Sequence, residues 1–466
     1  MKTINDIKNI FNPVTIAVIG ASRDSNSVGY GILKNLVKGC VLRCRYCSPF
    51  LGKIFAVNPF ADEILGLKCE KSITSIKDNV DLAIIAVPAN LVEKQVELCI
   101  KKKVKGLIII SSGFSESGRE GKKLQERIVK KLRKAKILLI GPNCLGIIRT
   151  SNHLNASFAP SMPPKGNIAF ISQSGALADS IIDWAIEERY GFSSIVSLGN
   201  SAHLDISDFI EYFGKDKETK VITLYIEGIK DGRKFLKIAS KVSQNKLIIA
   251  VKAGKTAQGI KAVSSHTGSL AGSYEIYNAA FKQSGVILAE SVEEMFDIAK
   301  AIATQPIPKK NSIAIVTNGG GAGVLCADYC SEFGINLAEL DKKTIEELDS
   351  SGVMHHAYSR SNPLDIVGDA LPERYKVAIE TLLSKDYISG LIVIQTLQTM
   401  TDTIEDAKIV IDAHKKYPSK PIICTYMGGK FTKSSVKYLE ENNIPDYNDV
   451  RKSARAMAAL VSRIKK

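Results

Sequence analysis

Apolar runs of five or six residues recur along the chain. Each is followed by a small polar or glycine-rich turn and then by residues apolar at helical spacing. Val14-Thr15-Ile16-Ala17-Val18-Ile19 leads into Gly20-Ala21-Ser22 and a helical pattern over 30–37. Asn167-Ile168-Ala169-Phe170-Ile171 leads into Ser172-Gln173-Ser174-Gly175 and a helix over 176–188. Ser312-Ile313-Ala314-Ile315-Val316 leads into Thr317-Asn318-Gly319-Gly320-Gly321 and a helix over 322–333. A buried β-branched strand, a tight turn and a helix make a nucleotide-binding type βα unit. Three openings about 150 residues apart predict three consecutive doubly wound α/β domains, over 1–150, 151–305 and 306–466.

Further apolar runs at 53–57, 82–87, 107–110, 137–140, 221–226, 247–251, 390–394 and 421–424 alternate with helical patterns. That alternation predicts parallel sheets with right-handed crossovers. The proline-rich stretches 160–166 and 305–310 are poor in apolar residues and read as linkers.

Composition narrows the function classes. With 63 Lys+Arg against 48 Asp+Glu the net charge is +15, which suits anionic partners such as phosphorylated metabolites. The positive charge is dispersed, one Trp is present and no nucleic-acid module stands out, so neither nucleic acid nor a membrane is an expected partner. No run of eighteen apolar residues predicts a span, no secretory leader is evident at the start, and a cytoplasmic protein is expected. Most of the nine cysteines sit in apolar runs, which fits a reducing compartment.

In an open parallel sheet, ligands bind beyond the carboxyl ends of the strands, so residues just after each run carry the chemistry. The turn from Gly20 to Gly29 lacks bulk and opens a helix, where backbone N–H groups and the helix dipole favour a phosphate. Asn58-Pro59 stands where a dinucleotide enzyme usually places Asp or Glu, which argues against NAD and leaves another phosphate-rich nucleotide open. Ser172, Gln173, Ser174 and Gly175, and again Gly319, Gly320 and Gly321, are candidate anion cradles at helix starts. Glu227 follows the 221–226 run and is a candidate partner for a histidine, holding its Nδ1 proton so that Nε2 can act as a nucleophile. His266, in Ser264-Ser265-His266-Thr267-Gly268-Ser269-Leu270-Ala271-Gly272, sits among small residues that leave an imidazole reachable. Cys40, Cys44 and Cys47 have the C-x3-C-x2-C spacing of iron–sulfur clusters but no evident fourth ligand, and read as a surface insertion of unassigned role. His355-His356 reads as a loop without a metal-ligand pattern.

These motifs in this order resemble the NDP-forming acyl-CoA synthetase superfamily, and within it the α subunits of ADP-forming acetate–CoA ligases. The resemblance is carried by 17–22, Val57-Asn58-Pro59, 86–89, Gly141-Pro142-Asn143-Cys144-Leu145-Gly146, 172–176, Glu227-Gly228, 265–272, 318–321 and Asn362-Pro363-Leu364-Asp365. It implies a Rossmann-like CoA-binding domain followed by two flavodoxin-like ligase domains. Gly20, Ala21, Ser22, Arg23, Ser25, Ser27, Asn58, Pro88, Ser111, Ser112, Gly113 and Asn143 would surround CoA or acetyl-CoA. His266 would be the phosphorylated residue with Glu227 beside it, and the two helix starts would hold the phosphoryl group.

Nothing in the chain resembles an ATP-grasp domain. The resemblance therefore implies a separate ATP-grasp β subunit carrying ADP/ATP and Mg²⁺, in an α2β2 hetero-oligomer. The activity implied is reversible conversion of acyl-CoA, ADP and phosphate to acid, ATP and CoA through an acyl phosphate and a mobile phosphohistidine loop. A ligase for a different acid, a CoA-binding regulatory protein without turnover, and an iron–sulfur protein are the alternatives.

Overall fold

The computed structural model describes residues 4–267 and 273–464, excepting the side chains of 4–5 and 264–267. The chain divides into two compact units, Met1–Met295 and Phe296–Lys466.

The first unit holds two seven-stranded sheets. One is ordered β3-β4-β2-β1-β5-β6-β7 and is built from β1 (Thr15–Ile19), β2 (Lys53–Val57), β3 (Glu63–Ile64), β4 (Leu67–Glu70), β5 (Leu82–Ile85), β6 (Gly106–Ile109) and β7 (Leu138–Ile140). Its helices are α1 (Ile4–Phe11), α2 (Val28–Lys38), α3 (Ala89–Lys102) and α4 (Arg119–Ala135). The other is ordered β14-β13-β12-β10-β11-β8-β9, from β8 (Gly146–Arg149), β9 (Leu154–Ser157), β10 (Lys165–Ser172), β11 (Phe192–Ser197), β12 (Val221–Ile226), β13 (Leu247–Lys252) and β14 (Val286–Leu288). With it go α5 (Gly175–Glu188), α6 (Ile206–Lys215), α7 (Gly232–Ser243), α8 (Ala257–Thr267) and α9 (Tyr274–Ser284). The second unit contains most of α10 (Val292–Thr304) and a four-stranded parallel sheet, β16-β15-β17-β18: β15 (Ile313–Thr317), β16 (Leu364–Asp365), β17 (Gly390–Thr396) and β18 (Ile422–Met427). Around it lie α11 (Gly320–Glu332), α12 (Lys342–Ser350), α13 (Pro372–Ser384), α14 (Thr403–Lys416), α15 (Lys433–Glu441) and α16 (Val450–Val461).

The three strand–turn–helix openings become β1–α2, β10–α5 and β15–α11. In each sheet the opening strand lies between its next and next-but-one parallel partners: β1 between β2 and β5, β10 between β11 and β12, β15 between β16 and β17. The chain therefore reverses its winding direction at each small-residue turn, which is where a doubly wound sheet leaves a crevice.

Two expectations need correction. The sheets are not wholly parallel: β3 pairs antiparallel with β4, and β8 antiparallel with both β9 and β11. The stretch 160–166 is not a solvated linker, because Ser161 and Met162 are buried and β8 and β9, which precede it, already belong to the second sheet. The two sheets share core contacts: the buried Asn35 of α2 donates to the Ser157 and Ala159 carbonyls, and the Phe11 ring of α1 stacks on Tyr212 of α6 at 4.9 Å. Large aromatic area buried this way is a strong cohesive term.

β11 escaped the sequence pattern because its Phe192-Ser-Ser-Ile-Val-Ser run is half serine. The hydroxyls are buried but satisfied: Ser193 Oγ donates to the Ile168 carbonyl, and Ser194 Oγ accepts from Arg149. A buried polar side chain costs little when it is hydrogen-bonded.

Candidate active site

The first opening turn is fixed by close packing. Gly20 has φ +94° and its Cα lies so near the Ala86 backbone that a Cβ would stand 2.3 Å from the Ala86 carbonyl oxygen. Only glycine takes this conformation without strain. Asn58 staples the turn: its Nδ2 donates to the Ala21 carbonyl while its Oδ1 accepts from the Phe60 amide. Ser27 caps α2, accepting from the Tyr30 amide, and Ser22 accepts from the Asp24 amide. Arg23 is exposed and reaches the Phe60 carbonyl, and Ser25 is exposed.

The second turn has the same logic. Ser172 Oγ, at the end of β10, donates to the Ser174 carbonyl and accepts from the Ser174 amide. Gln173 spends its side-chain amide on the neighbouring strand end: Oε1 accepts from the Glu227 and Gly228 amides, and Nε2 donates to the Gly228 carbonyl. Ser174 then caps α5 through the Leu177 amide.

A cavity of about 1010 Å³ opens between these strand ends, within the first unit. Of the expected site residues it gathers Pro88, Ser111, Ser112 and Asn143 with Gln173, Ser174, Gly175 and Glu227. Gly20, Ala21, Ser22, Arg23, Ser25, Ser27, Asn58, Gly113 and Ser172 do not line it. Ser172 is fully buried and serves the turn, and the Gly113 amide is donated to Glu116 rather than left open. Gly319, Gly320 and Gly321 open α11 in the second unit, where Asn318 repeats the part of Gln173: its Oδ1 accepts from the Thr396 amide and its Nδ2 donates to the Thr396 carbonyl.

His266 does not sit wholly in a loop: α8 runs through Thr267, so 264–267 have helical backbone. The His266 side chain and residues 268–272 lie outside the described set. Cys40 and Cys47 are joined as a disulfide and Cys44 is free, so the three do not stand as a triad of thiols, and the reduced state expected for the cysteines does not extend to this pair. His355 and His356 lie in a loop with their rings 4.2 Å apart.

Asn200, Lys230 and Asp179 also line the cavity, and Glu116 and Lys252 stand behind that lining. Asn200 follows β11; its Nδ2 donates to Glu116 Oε2 and, at 3.0 Å, to Gln125. Burial raises the Glu116 carboxyl, but the Asn200 hydrogen bond and the Phe114 and Gly113 amides outweigh it and hold the group below its usual range. Burial lowers Lys230, whose Nζ donates to the Asn200 and Ser201 carbonyls. Near buried Glu227, Lys252 is likewise lowered by burial, with the Glu227 charge opposing, and its Nζ lies 4.5 Å from the Tyr277 ring centroid. Asp179, on α5, is pushed up to about 6 by burial. Asn200 follows the serine-rich β11, Lys230 follows β12 and Asp179 lies on α5 one turn beyond Gly175, so each stands just outside a motif that the sequence marks.

Fold and site together define a chain of doubly wound domains whose first unit opens a large cavity across strand ends. Three family models match it: a CoA binding domain over 14–150, a succinyl-CoA ligase like flavodoxin domain over 165–302, and a ligase-CoA domain over 313–464. The chain is 44% identical over 459 residues to the acetate–CoA ligase [ADP-forming] II subunit alpha of Pyrococcus furiosus, covering 98% of this chain and 97% of that one. It is 43% identical over 454 residues to the acetate–CoA ligase [ADP-forming] I of Archaeoglobus fulgidus, covering 97% of this chain but 63% of the relative's length. Its fold matches the dinucleotide forming acetyl-coenzyme A synthetase 1 of Ca. Korarchaeum cryptofilum, solved in complex with phosphate and ADP, with a TM-score of 0.92 at 39% identity, covering 98% of this chain and 97% of that one. The chain belongs to the ADP-forming acetate–CoA ligase family.

Proposed function

We propose that this chain is the α subunit of an ADP-forming acyl-CoA ligase, with acetate as the reference acid. The observation that carries the reading is the cavity in which Ser111, Ser112 and Asn143 share one space with Gln173, Ser174 and Glu227. A ligand long enough to span both sheets, with a phosphate-bearing end and a reactive end, fits it, and CoA has that form. In this reading 1–150 binds CoA, 151–305 carries the phosphohistidine and 306–466 completes the ligase machinery.

Inorganic phosphate attacks the thioester carbonyl, the C–S bond breaks, and the CoA thiolate takes a proton. Neutral His266 Nε2 then attacks phosphorus, the P–O bond to the acyl group breaks, and the carboxylate leaves. Glu227 holds the imidazole and its remaining proton. The phosphoryl group passes to ADP on an ATP-grasp β subunit, which also supplies Mg²⁺; α2β2 is the proposed assembly. Catalysis rests on positioning and on N–H donors around the transferred group. The Korarchaeum protein's complex with phosphate and ADP supports this chemistry.

Incubation with ³²P-labelled acetyl phosphate should give acid-labile, base-stable label on the chain. His266→Ala should lose it by more than about 100-fold, and Glu227→Gln should slow it by about 10- to 100-fold while leaving the fold intact. Label that survives His266→Ala would refute the phosphohistidine assignment. Stoichiometric CoA binding without any label would favour the regulatory alternative.

A further inference from the structure

Of the three carboxylates on the cavity wall, Glu126, Asp179 and Glu227, the chemistry above uses only Glu227. Asp179 lines the cavity from the second turn of α5, and its buried Oδ1 accepts no hydrogen bond among the described residues. An unpaired polar atom out of contact with water is costly, and a site that keeps one calls for an account. Asp179 lies four residues beyond Gly175, so it stands one helical turn, about 6 Å, along the axis from the turn that would hold the phosphoryl group.

The start of α5 rests against Leu145 and the Ser197 hydroxyl. A Cβ on Gly175 would lie 3.6 Å from the Leu145 amide nitrogen and 3.7 Å from the Leu145 Cβ. The Phe158 amide donates to the Leu145 carbonyl at 3.4 Å, which sets Phe158 beside it, and both residues line the cavity. A short acyl group whose thioester reacts at Ser174 and Gly175 would have Leu145 and Phe158 in the surrounding wall and the Asp179 carboxylate one turn along α5.

We propose that Asp179 is a specificity-determining residue that accepts a hydrogen bond from a hydroxyl on the acyl group, so that the cavity prefers hydroxyacyl-CoA to the plain acyl-CoA of the same length and disfavours acyl groups ending in a second carboxylate. The proposal rests on the acyl-CoA reading above. Asp179 lines the cavity, so a ligand donor would meet the carboxyl oxygen that faces it rather than the buried one. The elevated Asp179 pKa is consistent with a carboxyl that has lost water and gained no partner. A site built to hydrogen-bond a substrate hydroxyl discriminates strongly, because its own polar group is left unpaired by the analogue that lacks one.

Calorimetric titration of the full chain at pH 7.5 with CoA, acetyl-CoA, 2-hydroxyacetyl-CoA and succinyl-CoA tests this without requiring turnover. Wild type should bind 2-hydroxyacetyl-CoA at least about ten-fold tighter than acetyl-CoA. Asp179→Ala should bring the two within about two-fold and strengthen succinyl-CoA, while Asp179→Asn, which keeps an acceptor, should retain most of the preference. Absence of the preference in wild type, or its survival in Asp179→Ala, overturns the proposal. Equal weakening of CoA and all acyl-CoAs in Asp179→Ala also overturns it, since that assigns the carboxylate to a pantetheine amide. Loss of the acetyl phosphate label with acyl-CoA selectivity intact counts against the ligase reading and not against Asp179; no binding of any acyl-CoA removes both.

Discussion

The turns after β10 and β15 are built alike and finished differently. In both, a strand-end hydroxyl folds onto the residue two places on: Ser172 Oγ donates to the Ser174 carbonyl at 2.7 Å, and Thr317 Oγ1 donates to the Gly319 carbonyl at 3.0 Å. In both, the following amide side chain ties the turn to the adjacent parallel strand end, Gln173 to Glu227 and Gly228, Asn318 to Thr396. The difference lies in the next residue. Ser174 caps α5 with its own oxygen, whereas Gly319 gives α11 no side-chain cap. A side chain at 319 is disfavoured, since a Cβ there would stand 2.7 Å from Thr396 Cγ2 and force that side chain to shift. The comparison teaches that the same turn can finish a helix start in two ways: by a serine that satisfies one amide, or by glycines that give the first amides no side-chain partner.

The largest expected contrast is in pH response between the units carrying the two turns. In the second unit burial pushes Asp406 up to about 7 and Asp446 up to about 8. The folded state then keeps protons that the unfolded state releases. This contribution is full below about pH 4 and is lost as pH rises through about 7 to 8, on the order of a few kcal/mol. In the first unit, burial raises Asp205 and Asp216, but hydrogen bonds and ion pairs from Lys234 and Arg149 outweigh it, so both are lowered. Their contribution appears as pH rises through the acid range and is lost below it; Asp179 opposes this only between about 4 and 6. Hydrogen exchange of peptides from each unit, corrected for intrinsic rates, should show the second unit loosening from pH 5 to 8 and the first holding. Asp446→Asn should remove much of that loosening; an unchanged pH profile would break the contrast.

Next come the two amide staples. Asn318 is buried, and its Oδ1 serves both the amide and the hydroxyl of Thr396. Asn318→Ala should cost about 2–4 kcal/mol, because the Thr396 amide is left unsatisfied away from water. Gln173 borders the cavity, where water can replace it, so Gln173→Ala should cost about 1 kcal/mol in denaturant titration. Equal losses would show that the cavity does not hydrate that turn.

The smallest difference concerns glycine. Gly319→Ala should destabilise by about 1–3 kcal/mol through the Thr396 clash. A Cβ on Gly175 meets only ordinary contacts, nearest 3.6 Å, so Gly175→Ala should be neutral or gain up to about 1 kcal/mol from helix propensity. Melting temperatures of the two variants check the sign.

The sequence by itself determined the three βα openings, because five consecutive buried positions and a small-residue turn leave a parallel strand and a helix start as the consistent reading. It also determined Glu227, which must emerge at the carboxyl end once 221–226 is a strand, and the family, because several motifs in a fixed order are far more specific than any one. Tertiary structure alone decided the rest. The serine-rich β11 and the β8–β9 hairpin exist through cross-strand hydrogen bonds, which leave no periodic trace. Asn200 and Lys230 join the cavity through contacts between elements distant in sequence, and Ser172 and Gly113 leave it because their polar groups are spent within their own turns. A local pattern specifies which residues can form an element; which polar atoms remain for a ligand is settled only when every other donor and acceptor has found its partner.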